Sequence, residues 1–241
     1  KDKGKTLSEY VAENKNALGT ACGRFEYFPI LIKLIDAKDN LSVQVHPDND
    51  YAMRVEGEYG KTEMWYIVDA KEGAKIGFGF VRDVTKDEVE KAAKDGTLQD
   101  IIKYYDVKKG DCFFIRGGSV HCLCAGLIVA EIQQSSDTTY RLYDYNRRDK
   151  DGNLRELHLD KALEVAKLGV YEKAYCNAEN LDECTVAECE YFKVVKHTVH
   201  GEKCFDTEEK TFNAVMFLEG DGFIEYDGGK KEKFSAGDTF L

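Results

Sequence analysis

Four polar side chains in three predicted β-strands have the chemistry of a divalent-metal site: Gln44, His46, Glu63 and His121. Two imidazoles, a carboxylate and an amide oxygen suit Zn²⁺ or a similar ion, with one position left open for water or a substrate. A lone histidine is more often a hydrogen-bonded structural residue, but the neighbouring Gln44 and Glu63 favour a ligand at His46. A small antiparallel barrel can bring residues from such strands to one point.

The segment 41–48 must position two of these residues. Alternate residues of an extended strand share a face, so Ser42, Gln44 and His46 point to one side and two valines point to the other. A polar face backed by valines is typical of a strand that lines a wet cavity. Pro47 lacks the N–H that a ladder needs, so we expect the strand to end just past His46.

Glu63 begins the next predicted strand, at 61–68, and His121 follows a Gly-Gly bend. Cys122 and Cys124 are near His121 in sequence, but strand alternation turns both thiols away from its face and favours core packing. The eight cysteines show neither zinc-knuckle spacing nor a C-x-x-C pair. We therefore predict free, buried thiols.

Three further charged side chains lie in apolar or aromatic strands. Lys33 interrupts a predicted buried strand at 28–36; such a lysine usually lies at a sheet edge or reaches the surface, and the alternative is contact with an anion in a cavity. Glu131 is costly to bury without a partner. Arg141 shares a face with two tyrosines, a grouping that either stacks structurally or recognises an anionic sugar.

The composition excludes several classes of function. The chain has 241 residues, 43% hydrophobic and 33% charged, with a net charge of −11. This charge argues against a general binder of nucleic acid or of an anionic membrane, although a local basic cluster can still hold a small anion. No run reaches the roughly 18 apolar residues of a membrane span. We expect a cytoplasmic protein. We also expect a fragment of a longer protein, because the chain lacks an initial Met and stops inside a predicted strand.

Strand patterns are interrupted by short helical ones. A helix is predicted from Leu7, the segment from Asp48 onward is predicted as a turn, and a capping box at 85–88 begins a helical pair that continues from Thr97 to Tyr104. A connecting helix is predicted over 160–169, capped by Asp160. A second β-rich block follows from about residue 176, and its Gly-Asp turn near the end of the chain repeats the one at 110–111 without the metal-type residues.

Three motifs together resemble the type I mannose-6-phosphate isomerases, in their short bacterial form. They are LSVQVHPD at 41–48, GKTEMWY at 60–66 and EIQQSSDTTYRLYDY at 131–145. The resemblance implies a mainly β double cupin, with two jelly-roll β-barrels, a small helical insertion at about 85–105 and a connecting helix, truncated here at both ends. It places the metal-binding catalytic cupin at 1–152, the connector at 153–175 and a degenerate, incomplete cupin at 176–241.

The same resemblance assigns roles to residues. It implies one Zn²⁺ per chain, held by Gln44, His46, Glu63 and His121. The catalytic residues would be Arg141, Glu131 and Lys61, and the substrate-binding residues would be Lys33, Ser42 and Arg147. The implied substrate is a phosphorylated hexose, and the protein would be a monomer or a homodimer with no nucleic-acid or membrane partner.

Two other functions are compatible with part of the pattern. A cupin iron dioxygenase also uses two histidines and one glutamate, but it leaves Gln44, Lys33 and the Tyr-Arg-Leu-Tyr stretch at 140–143 unexplained. A non-catalytic sugar-binding cupin has no reason to keep the ligands together with Arg141. The isomerase, which moves a proton between two carbons through an enediol, accounts for all of these residues.

Overall fold

The computed structural model describes residues 4–25, 27–148, 150–171 and 175–241. The described residues form four α-helices and sixteen β-strands. The helices are α1 (Leu7–Glu13), α2 (Asn49–Val55), α3 (Lys86–Asp95) and α4 (Leu159–Val165). The strands are β1 (Ile30–Ala37), β2 (Val43–Val45), β3 (Glu63–Ala70), β4 (Lys75–Phe80), β5 (Ile102–Asp106), β6 (Asp111–Ile115), β7 (His121–Leu123), β8 (Leu127–Gln134), β9 (Tyr140–Tyr143), β10 (Tyr175–Asn177), β11 (Glu183–Glu188), β12 (Lys193–His197), β13 (Val215–Met216), β14 (Asp221–Tyr226), β15 (Lys230–Ser235) and β16 (Thr239–Phe240).

Two five-stranded sheets dominate the unit formed by Ile30–Thr198. The first sheet has the order β1-β8-β3-β6-β10 and the second has the order β5-β4-β7-β2-β9. Their strand pairs are antiparallel. The expectation of a mainly β, cupin-like fold is confirmed.

Two apolar clusters lie on opposite sides of the second sheet. One cluster draws on both sheets, with Trp65 and Phe113 from the first and Phe78 and Leu123 from the second, so it is the core between them. The other cluster packs the second sheet against α3 and α4. This unit is therefore layered as sheet, sheet and helices, and the second sheet, in the middle, buries apolar side chains on both of its faces.

The helix predicted to begin at the capping box 85–88 is confirmed as α3, but the second helix predicted from Thr97 to Tyr104 is wrong. Thr85 accepts from the backbone of Glu88, whose carboxylate accepts from the Thr85 N–H in return. After Gly96 the chain makes only a short 3₁₀ turn at Leu98–Asp100 and then forms β5. Antiparallel pairing of β5 with β4 determines this segment, overriding its local helical pattern.

Two other segments differ from their predictions. The segment predicted as a turn is α2, because Asp48 caps it by accepting from the N–H of Tyr51 at 2.9 Å. The predicted connecting helix is α4, which begins one residue before Asp160 and ends at Val165. Its N-cap is His158, which makes no capping bond through its side chain.

Val199–Leu241 and Lys1–Pro29 form a second unit, which contains α1, as predicted from Leu7, and short antiparallel strand pairs. The repeated Gly-Asp turns have the same bonding in both copies. The carboxylate of Asp111 accepts from the N–H of Lys108, and that of Asp238 accepts from the N–H of Ser235. The domain boundaries at 152 and 176 stay a proposal.

The eight cysteines are free, as predicted, but their burial differs from the prediction. Cys112 and Cys122 are buried, four others are partly buried, and Cys176 and Cys204 are exposed. The prediction of burial is wrong for this exposed pair. Cys176 lies on an edge strand of the first sheet, and Cys204 lies outside the strands. Among the described residues, no helix is long and apolar enough to cross a membrane.

We expect Gly60→Ala to destabilise the fold, because an added Cβ would lie 2.4 Å from the carbonyl carbon of Asp48. The backbone of Gly60 also donates to Asn49 at 2.8 Å. Overpacking against backbone costs about 1–3 kcal/mol, which urea unfolding can measure. Gly23→Ala is the matched control, since an added Cβ there meets nothing within 4 Å. Equal stability of the two variants would contradict the expectation.

Candidate metal centre and active site

Three predicted ligands meet between the two sheets. The ligand atoms of His46, Glu63 and His121 all lie within 4.8 Å of one another, and all three residues are buried. The Nε2 atom of His46 is 3.4 Å from one Glu63 oxygen, and that of His121 is 3.3 Å from the other. Glu63 begins β3 in the first sheet, whereas both histidines come from the second sheet or its end.

Backbone carbonyls fix the orientation of both imidazoles. His46 Nδ1 lies 3.0 Å from the carbonyl oxygen of Thr138, and His121 Nδ1 lies 2.8 Å from that of Ser119. A carbonyl can only accept, so the proton resides on Nδ1 and the lone pair of Nε2 faces Glu63. Metal-bound histidines in proteins are held in this way.

Several polar atoms in this cluster are buried and have no hydrogen-bond partner within the part of the chain that the structure describes. They include His46 Nε2 and both carboxylate oxygens of Glu63. A buried carboxylate costs free energy unless a partner compensates its charge, so this arrangement suits a cation that the three side chains surround. Two imidazoles and a carboxylate are also a common donor set for Zn²⁺. The residues therefore fit a divalent metal.

Gln44 lies beside this group, opposite His121 in the β2–β7 ladder. Its Nε2 is 3.3 Å from His121 Nε2, and its Oε1 accepts from Ser42 Oγ at 3.3 Å. The two ends of an amide have nearly the same size, so a half-turn would direct the oxygen inward and let the NH₂ donate to Ser42. Gln44 can then act as a fourth ligand.

The electrostatics of the cluster favour the protonation states that a metal needs. Burial, followed by the nearby charge of Lys61, lowers the pKa of His46 to about 4. Burial acts to raise the pKa of Glu63, but His46 and Lys61 outweigh it and hold that pKa well below its ordinary value. The Nζ atom of Lys61 is 3.5 Å from Glu63. Neutral imidazoles and an ionised carboxylate are the forms that bind metals.

A cavity of about 220 Å³ adjoins the cluster and brings together the other predicted site residues. It is lined by Lys33, Ile35, Leu41, Ser42, Gln44, Lys61, Glu131, Thr139, Arg141, Arg147 and Arg155. Basic side chains outnumber the single carboxylate of this lining. A basic concave surface concentrates anions even on a protein whose net charge is −11.

Glu131 has the partners that its burial requires. One oxygen accepts from Lys33 Nζ at 2.9 Å, and the other accepts from Trp65 Nε1 at 2.8 Å. Lys33 lies on the edge strand β1, directly opposite Glu131, and also donates to Gln133. The lysine thus lies at a sheet edge and lines the cavity at the same time.

Arg141 lies opposite Gln44 in the β2–β9 ladder, and both residues line the cavity. Its Nε atom is buried and makes no hydrogen bond within the described residues. Burial, and then the charge of Arg155, lowers the pKa of Arg141 from its ordinary value. A guanidinium with an unused donor suits an anionic group that enters from the cavity.

Sequence patterns missed Arg155 and the role of Asp144. The buried carboxylate of Asp144 forms ion pairs with Arg147 and, at 3.5 Å, with Arg155, so it holds two like charges at one wall of the cavity. Arg147 also donates to the carbonyl oxygen of Asn40 at 2.7 Å. Arg155 lies in a polar connecting segment without strand periodicity, and no sequence signal could have found it.

The fold and the site together define a cupin-like β protein with a buried His-Glu-His centre beside a basic cavity. Residues 1–58 match the family model described as phosphomannose isomerase type I, catalytic domain. The chain is 38% identical over 244 residues to the mannose-6-phosphate isomerase ManA of Bacillus subtilis, covering 99% of this chain and 76% of that protein. The chain belongs to the type I mannose-6-phosphate isomerase family.

Solved structures agree with this relationship. The crystal structure of the mannose 6-phosphate isomerase from Bacillus subtilis matches with a TM-score of 0.83 at 36% identity, covering 98% of this chain and 76% of the other. A variant of the phosphomannose isomerase from Salmonella typhimurium matches with a TM-score of 0.70 at 12% identity, covering 98% and 79%. At that identity the second match shows the fold alone.

We expect His46→Ala, His121→Ala and Glu63→Gln each to weaken Zn²⁺ binding by roughly 100-fold or more, because each removes a donor from the buried centre. Gln44→Ala should have a smaller effect, since it removes a neutral donor at the edge of the group. Competition with a chromophoric chelator measures the affinities. His197→Gln, a histidine outside this cluster, is the control, and unchanged affinity in Glu63→Gln would contradict the assignment.

Proposed function

We propose that this chain is a Zn²⁺-dependent isomerase that interconverts mannose 6-phosphate and fructose 6-phosphate by proton transfer through an enediol. The observation that carries the proposal is that the buried His-Glu-His centre lies beside a basic cavity. Gln44 and Lys61 are next to the centre and also line the cavity. The names of the relatives support the same reaction.

The reaction needs positive charge at the sugar carbonyl. A proton moves between C1 and C2, so negative charge develops on the carbonyl oxygen as the enediol forms. When bound, Zn²⁺ supplies a Lewis acid for that oxygen. Arg141 adds a fixed positive charge whose buried Nε has no other hydrogen-bond partner among the described residues. Preorganised donors of this kind usually contribute more to catalysis than any other single effect.

Glu131 and Lys61 are the proposed groups for handling the proton. Hydrogen bonds from Lys33 and Trp65 hold the Glu131 carboxylate in one orientation at the cavity wall. Lys61 is buried beside Glu63 and lines the same cavity. A positioned general base contributes roughly 10²–10⁴-fold to such a rate.

Lys33, Ser42 and Arg147 are the proposed contacts for the phosphorylated sugar, and Arg155 joins them at the cavity wall. Their contacts with a phosphate supply binding energy away from the reacting carbons, which can be used to hold those carbons in place. A dioxygenase would need the histidines and Glu63 but has no use for this basic lining. The basic cavity therefore favours the isomerase.

We expect chelator treatment to abolish the isomerisation of mannose 6-phosphate, followed in a coupled assay for fructose 6-phosphate, and added Zn²⁺ to restore it. The physical reason is the loss of the charge that stabilises the developing oxyanion. Oxygen uptake after reconstitution with Fe²⁺ serves as the control for dioxygenase chemistry. Activity that survives complete removal of the metal would refute the zinc-dependent mechanism.

Arg141→Ala should lower kcat by roughly 10²–10³-fold with little change in KM, because the guanidinium acts on charge that develops only in the transition state. Its Zn²⁺ content should stay that of the unmodified protein. Lys33→Ala should raise KM, because it removes a cation from the cavity, and should also lower kcat, because Lys33 orients Glu131; the exposed Arg82→Ala is the matched control. A near-normal kcat would remove Arg141 from the mechanism, and loss of Zn²⁺ would show that its role is structural.

A further inference from the structure

Three thiols that are far apart in sequence meet at one edge of the first sheet. Cys112 in β6 and Cys176 in β10 are directly opposite each other in the antiparallel ladder. Cys184 lies in β11, which packs against β6. The Cys112 and Cys184 thiols are near enough to Cys176 to act on the pKa of its thiol. None of these residues belongs to the metal centre or the cavity.

The backbone places the Cα atoms of Cys112 and Cys176 within the range that a disulfide spans. The N–H of Ala178 donates to the carbonyl oxygen of Gly110 at 2.8 Å. Hydrogen-bonded pairs alternate along an antiparallel ladder, so Cys112 and Cys176 are also a hydrogen-bonded pair, with Cα atoms about 5.5 Å apart. Disulfides span Cα separations of roughly 4.4–6.8 Å, and the Cα atoms of this pair meet that requirement. The Cβ atoms of a hydrogen-bonded pair lie about 5.5 Å apart, above the roughly 3.5–4.5 Å of a disulfide, so closing the bond draws the two strands together and leaves it strained and easily reduced.

The two thiols differ in their access to solvent. Cys112 is 1% exposed, and its Sγ lies 3.3 Å from the carbonyl oxygen of Gly110. Cys176 is exposed, because β10 is the last strand of its sheet. A reagent in solution can therefore reach Cys176, whereas Cys112 can react only with a group already bonded to Cys176.

We propose that Cys112 and Cys176 form a reversible thiol–disulfide site that reacts with small disulfides such as oxidised glutathione. The Cys176 thiolate attacks one sulfur of the small disulfide, forming a mixed disulfide and releasing one thiol. The Cys112 thiolate then attacks Cys176 Sγ and displaces the second thiol. The protein loses two protons and two electrons, and the small disulfide is reduced to two thiols.

Burial raises the pKa of both Cys112 and Cys176 above the ordinary value for a thiol. Thiolates are the reacting forms, so the exchange is slow at neutral pH and accelerates as the pH rises. The new bond would join β10 covalently to the ladder in which Cys112 pairs with Tyr66 of β3. A covalent link between distant parts of the chain restricts the unfolded state and so stabilises the fold.

The test is incubation of the purified protein with oxidised glutathione at pH 8.5, followed by intact mass and non-reducing peptide mapping. The expected result is a loss of two hydrogens, a peptide pair joined through Cys112 and Cys176, and a Tm higher by roughly 5–10 °C. Dithiothreitol should reverse all three. The readouts are independent of isomerase activity, so the proposed function can fail without affecting them.

Cys176→Ser and Cys112→Ala should each abolish the cross-link and the rise in Tm. Cys204→Ser is the matched control, because it removes another exposed thiol and should behave as the unmodified protein. Folding of the Cys112 variant can be checked by circular dichroism, and the Cys176 variant alters only an exposed position. A mixed disulfide that persists at Cys176, or a cross-link from Cys176 to Cys184 instead, would overturn the proposal.

Discussion

A carboxylate with no exposed surface, that of Glu63, is the constraint around which the site is built. An isolated charge in a protein interior is unstable unless other charges and donors surround it. Here His46 and His121 from the opposite sheet and Lys61 from the same chain segment provide that environment. A metal ion would satisfy the oxygens more fully, so the energetics of the fold and the binding of the metal are coupled.

The second sheet serves the core and the site at the same time. Along β2, Val43 and Val45 pack with the helices while Gln44 between them faces the site. A shift of one residue in register would exchange these faces and bury the amide among apolar side chains. The same alternation in β7 places His121 in the site and Cys122 in the apolar cluster next to the helices. The stability of the core and the positions of the site residues therefore depend on the same strand register in the second sheet.

The basic cavity shows how local charge can oppose the charge of the whole protein. Arg141, Arg147 and Arg155 line the same cavity and repel one another, and Asp144 offsets part of that repulsion through its ion pairs with Arg147 and Arg155. Glu131 likewise offsets the charge of Lys33 through an ion pair. Because each carboxylate is already bonded, the cavity keeps an excess of positive charge for an anionic ligand.

Local chemistry in the sequence was enough to predict the capping box at Thr85, the end of β2 before Pro47 and the common face of Gln44 and His46, because each depends on neighbouring residues alone. Tertiary structure decided the rest. Pairing with β4 made residues 102–106 a strand. The path of the chain after β9 brought Arg155 to the cavity. The β6–β10 ladder placed Cys112 opposite Cys176. These contacts depend on which distant segments meet, and periodicity within a single segment carries no information about that.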